Sequence, residues 1–140
     1  MSKTIHGSCL CGDVTYEVTG NIGLFQYCHC SRCRKLTGTA HASNLFVDPA
    51  DFRYTSGEER VTRFDMEEAK YFAPCFCNRC GSTLPWMSKT GKVVIVPAGT
   101  LDEAPDIKPI QNIYWDSRAD WHVETSELVK FAELPDRSKN

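Results

Sequence analysis

The sequence predicts a single, mostly β domain, stabilised by zinc, on three observations. Short candidate strands alternate with turn residues along most of the chain. The 140 residues contain no internal repeat, low-complexity tract or convincing linker, which fits one ordinary domain. Eight cysteines fall in tight groups rather than being scattered.

The elements follow in order. Val14, Tyr16 and Val18 alternate with Thr15, Glu17 and Thr19, the pattern of a half-buried strand. Residues 23–28 form a second strand candidate. Residues 31–36 predict a short helix ended by Gly38, since glycine accepts the left-handed conformation that stops a helix. Residues 40–47 read as extended, with a turn at Asp48-Pro49. Residues 52–55 and 60–64 read as strands around Ser56-Gly57. Residues 70–77 read as another, at an edge or bulge because Pro74 lacks an N–H. Residues 84–88 and 92–96 flank Lys89-Thr90-Gly91 and predict a hairpin. Pro97, Pro105 and Pro109 punctuate a long loop before a last strand at 111–115. A weak helix is expected at 126–131, and a frayed polar end at 135–140.

Composition narrows the function. Hydrophobic residues make up 41% and charged residues 24%, enough core for a folded domain and too polar for a membrane protein. The formal net charge of −2 argues against nucleic acid as a partner. The first residues show neither an apolar signal core nor a cleavage site, and the longest apolar run, 93–96, is too short to span a bilayer. The expected location is therefore the reducing cytoplasm, where structural disulfides are rare.

That setting makes the cysteines metal ligands. Cysteines one residue apart are poorly placed to bridge each other, whereas neighbouring thiolates converge on one cation. Cys77-x-x-Cys80-Gly81 and Cys9-x-Cys11-Gly12 are two pairs, each followed directly by glycine; together they make one closed four-thiolate site. Cys28, Cys30 and Cys33 supply three sulfurs from six residues. That is either an open catalytic site or a second structural site completed by Cys75, His29 or His41. Cys75 itself is a possible ligand or a small buried thiol.

Beside the three-cysteine group lie Arg32, Arg34 and Lys35, which offer either carboxylate binding or a solvated basic helix face. His29 reads as a hydrogen-bonded structural residue pointing away from the metal. His41 has no motif support, and His6 and His122 are expected at the surface. Trp86, Trp115 and Trp121 are candidates for core or pocket walls. Asp102 and Glu103 have no identifiable partner and receive no acid–base role.

The motifs resemble a known family. Gly7-Ser8-Cys9-Leu10-Cys11-Gly12, then Cys28-His29-Cys30-Ser31-Arg32-Cys33-Arg34-Lys35-x-Thr37-Gly38, then Phe76-Cys77-Asn78-Arg79-Cys80-Gly81-Ser82 are the specific elements. Ala98-Gly99-Thr100-Leu101-Asp102, with Arg118 and Trp121 later, is a weaker fourth. Over residues 4–122 they resemble the glutathione-dependent formaldehyde-activating enzymes, a family that includes centromere protein V. The resemblance implies a β-tent of small packed sheets, related to the Mss4-like zinc folds. It implies a structural zinc on Cys9, Cys11, Cys77 and Cys80, and a more labile zinc on Cys28, Cys30 and Cys33. It implies carbon–sulfur lyase chemistry, addition of the glutathione thiol to formaldehyde. Arg34 and Lys35 are candidate glutathione contacts on their position beside the three-cysteine group alone, not on the resemblance. Asn112 departs from the pattern, standing where many members carry histidine, and Cys75 lies outside it.

The charges of the three-cysteine group favour one use of zinc. Three thiolates leave the ion electron-rich, a poor Lewis acid for a carbonyl and a good holder of a fourth thiol as thiolate. Two other classes compete with this enzyme: a zinc-stabilised binding module and a thiol redox protein using a C-x-x-C pair. A homodimer through open sheet edges is also expected to be available.

Overall fold

The computed structural model describes residues 3–135. They form three small sheets and one short helix. The first sheet has the order β1-β2-β5, from β1 (Ile5–Ser8), β2 (Thr15–Val18) and β5 (Phe52–Ser56). The second is β11-β3-β4-β10-β9, from β3 (Ile22–Cys28), β4 (Ala42–Val47), β9 (Trp86–Met87), β10 (Val94–Pro97) and β11 (Asn112–Ile113). The third is β6-β7-β8, from β6 (Val61–Arg63), β7 (Cys75–Cys77) and β8 (Thr83–Leu84). The helix α1 spans Ser31–Thr37.

Burial explains the elements. In β2 the alternation holds, with Tyr16 and Val18 buried and Thr15 and Glu17 only partly so. Tyr16 is wholly enclosed; its hydroxyl shares a 2.7 Å hydrogen bond with Thr100 Oγ1, and its ring fills the space a side chain on Gly7 would need. In β10, Val94, Ile95 and Val96 are all buried, so this strand is covered on both faces and lies between β4 and β9. The predicted hairpin forms, with Val94 opposite Met87 and Gly91 in the left-handed turn. Helix α1 is capped by the Cys30 sulfur, which accepts from Cys33 N, and stopped by Gly38 at φ 68°.

The strands expected on either side of Ser56-Gly57 both form, and they join different sheets, β5 to β2 and β6 to β7. Three expectations change. Residues 70–74 are not strand, because the backbone there bonds elsewhere: Tyr71 O accepts from Lys89 N at 3.1 Å, and Phe72 O accepts from Met66 N at 3.3 Å. The last strand shrinks to Asn112–Ile113, broken by Tyr114 at φ 54°. No helix forms at 126–131; residues 124–135 are exposed, so no apolar face is buried to hold one, and only the 3-10 turn Thr125–Glu127 appears. All but the first residue of the end expected to fray, 135–140, lies outside the described residues. Among the described residues no helix is long and apolar enough to cross a membrane.

Candidate functional site

The turn joining β1 to β2 carries Cys9 and Cys11; Cys77 ends β7, and Cys80 lies in the turn from β7 to β8. Gly12 (φ 82°) and Gly81 (φ 79°) take the left-handed conformation that closes each turn. Leu10 N donates to Ser82 Oγ at 2.8 Å and ties the two turns together. All four sulfurs lie within 4.8 Å of one another, Cys9 to Cys11 at 3.5 Å and Cys11 to Cys77 at 3.9 Å. A tetrahedron with Zn–S near 2.3 Å has edges of about 3.8 Å, so the donor set fits zinc. The Ser82 hydroxyl beside Cys80 draws that thiol down to about 5. Arg79 is held up from its ordinary value by Asp13 and then by Cys11, which places a cation beside a site rich in negative charge.

The second group stands at the junction of β3 and α1. Cys28 ends the strand, Cys30 caps the helix and Cys33 lies in its first turn, with the three sulfurs within 4.8 Å. The neighbouring Cys28 and Cys33 thiols, and Cys33 N, which donates to its sulfur at 3.4 Å, draw the Cys30 thiol down, while Cys28 and Cys30 push Cys33 up. No fourth Cys, His or carboxylate completes it among the described residues. The alternative of a closed site through His29, His41 or Cys75 is not what the geometry gives.

Cys75 joins neither group. The β7 register sets it opposite Leu84 and Arg63, among Leu84, Trp86 and Ile95, and burial pushes its thiol up. Cys75→Ala should therefore leave the zinc content unchanged and cost roughly 1 kcal/mol, the order expected for deleting one small buried group. Elemental analysis and a thermal melt check both expectations.

The histidines regroup. His29 is fully buried and faces away from the cleft described below; Asn112 Oδ1 accepts from its Nε2 at 2.9 Å, and Ile113 O accepts from its backbone N at 3.0 Å. The departure at Asn112 thus contacts the segment between two candidate ligands, a role with no signal in the local sequence. His122, expected at the surface, has only 14% of its side chain exposed and packs edge-on against His29 at 5.2 Å. His41 stacks on Tyr27 at 4.1 Å, and burial lowers its pKa. His6 is exposed as expected but latched: Glu103 accepts from its backbone N at 2.6 Å and pairs with Nδ1 at 2.8 Å. Asp102 accepts from Ser8 Oγ at 2.7 Å. Both acids therefore have partners and fasten the loop after β10 to β1.

A cleft of about 860 Å³ opens beside the three-cysteine group, at the upper end of small-molecule sites. Cys28, Cys30 and Cys33 line it, with Arg32, Lys70 and Lys92 as cations and, among the described residues, no carboxylate. Sequence reasoning missed Lys70 and Lys92 because they lie far along the chain, one on the irregular segment before β7 and one in the β9–β10 hairpin. Arg34 and Lys35 do not line this cleft; they occupy the last turn of α1, where cations oppose the carbonyl end of the helix. Trp86 is cleft wall and core at once, whereas Trp115 covers His29 and stacks under Arg118. Trp121 is largely exposed.

Fold and site define a small β protein with two cysteine clusters able to bind metal, one of four sulfurs and one of three. The chain belongs to the glutathione-dependent formaldehyde-activating enzyme family, whose profile matches residues 4–117, and that family is Mss4-like in fold. It is similar to a Halomonas elongata protein provisionally named a glutathione-dependent formaldehyde-activating enzyme. The two are 29% identical over 143 residues, covering 96% of this chain and 90% of that one. A crystal structure of a Rhodobacter sphaeroides protein superposes with a TM-score of 0.61 at 22% identity. It covers 76% of this chain and 98% of its own, a likeness of fold alone.

Proposed function

We propose that this protein is a zinc-dependent carbon–sulfur lyase or synthase of the cytoplasm. It joins the thiol of glutathione, or a similar thiol, to a small aldehyde such as formaldehyde, or runs the reverse. The observation that carries this reading is the three-cysteine group, with no fourth Cys, His or carboxylate ligand among the described residues, opening into a cleft lined by three cations and, among the described residues, no carboxylate. In this reading the three sheets are a β-tent, and Cys9, Cys11, Cys77 and Cys80 hold a structural zinc.

A zinc ion held by Cys28, Cys30 and Cys33 would favour the thiolate form of an incoming thiol and template its carbon partner. The chain supplies the rest. Arg32, Lys70 and Lys92 attract and orient the carboxylates of the thiol substrate. Arg34 and Lys35, outside the cleft lining, add attraction at longer range. Phe72 and Trp86 exclude water from one side of the reacting centre. β11 bonds alongside the end of β3, so the segment carrying Cys28, His29 and Cys30 is held on a rigid edge.

The test is zinc per chain before and after dialysis against a mild chelator, combined with glutathione–formaldehyde exchange followed by NMR. Two zincs falling to one, with exchange lost and then restored by added zinc, is the expected result. Two zincs that both stay, with no exchange above the spontaneous rate, would make the protein a zinc-stabilised binding module.

A further inference from the structure

The cleft has more apolar wall than a one-carbon aldehyde can use. Phe72 packs against the cluster of Cys28 and Cys33 on one side and against the core around Trp86 on the other. Its ring stands edge-on to Trp86 at 5.3 Å, a fixed aromatic corner. Phe46, Ile95 and Ile113 continue the same wall. None of these three, nor Phe72, offers a side-chain hydrogen bond to an aldehyde oxygen. Glutathione gives them little to do either: its carboxylates belong with the cations, and its peptide groups are polar. The wall adjoins the three sulfurs, so it faces whatever is attached to the carbon next to the substrate sulfur.

We propose that the cleft takes thiol–carbonyl adducts whose sulfur-linked carbon bears an apolar substituent of aromatic size, seated against Phe72 and Trp86. The inference rests on the thiol-binding reading above and extends it from one-carbon to aromatic aldehydes. The reaction balances without an added oxidant or reductant. The sulfur–carbon bond forms as the carbonyl π bond opens, and the thiol proton ends on the carbonyl oxygen; the reverse step returns both.

Stable thioethers test this without turnover. S-benzylglutathione and S-methylglutathione, titrated calorimetrically into the zinc-loaded protein, should differ by roughly tenfold or more in favour of benzyl, because one buried aromatic ring separates them. Phe72→Ala should reduce the preference to about threefold or less, with Phe72→Leu and far-UV circular dichroism as controls for folding. Equal affinities in the unmutated protein overturn the inference, as does a preference that survives intact in Phe72→Ala. If formaldehyde exchange persists in either case, the thiol–aldehyde reading stands without this extension. If neither thioether binds and no exchange occurs, both fall.

Discussion

Replacing Cys77 with serine should remove most of the domain's stability. Cys77 is fully buried at the end of β7, its sulfur 3.9 Å from that of Cys11 on the β1–β2 turn. The four-cysteine group therefore ties the first sheet to the third. Direct side-chain links beside this tie include the exposed pairs of Asp13 with Arg60 at 3.0 Å and Arg79 at 3.1 Å, and such pairs contribute little in water. A structural zinc in small domains contributes on the order of 10 kcal/mol, comparable to the whole stability of a domain this size. Serine lacks the soft thiolate and buries a hydroxyl in its place. The expected result is a melting temperature lowered by roughly 20 °C or more, or no transition at all. Cys75→Ala, two residues away on the same face of the strand, is the control. A Cys77→Ser protein melting within a few degrees of the unmutated one would remove the structural role assigned to the group.

The second large effect is on turnover with the fold retained. Cys30→Ser should reduce zinc-dependent thiol–aldehyde exchange by roughly 100-fold or more, since removing a ligand exceeds the 10- to 100-fold cost of disturbing its supports. The position suits the test. Cys30 caps α1 by accepting from Cys33 N at 3.4 Å, and serine is itself a preferred cap, so the helix start survives the exchange of sulfur for oxygen. Cys28 and Cys33 are buried, and serine there would mix a packing loss with the loss of a ligand. The measurements are bound zinc, falling from two to one, and exchange rate, with the melting temperature within a few degrees of the unmutated value. Full exchange activity in Cys30→Ser would sink the catalytic assignment.

The other expectations vary in reach for identifiable reasons. The half-buried alternation of β2 and the hairpin around Gly91 were legible because each is decided within a few residues. The helix after Cys30 was legible for the same reason, with its stop at Gly38. The expected helix at 126–131 failed because propensity without a buried face does not hold a helix. The strand expected at 70–77 kept only Cys75–Cys77, since the Tyr71 and Phe72 carbonyls are taken by Lys89 N and Met66 N rather than by a neighbouring strand.

By itself the sequence determined the ligand pairs. Cysteines two or three residues apart share a turn, so Cys9 with Cys11, Cys77 with Cys80, and the run Cys28, Cys30 and Cys33 are each local, whereas the meeting of the first two pairs in one group is decided by the packing of the first sheet on the third. Only the tertiary structure decided what surrounds the open group. Lys70, Phe72 and Lys92 reach the cleft from distant segments, Asn112 meets His29 across the β3–β11 pairing, and Cys75 turns into the core. Those placements depend on strand pairing and on burial summed over the whole domain, and short stretches of sequence carry no local record of either.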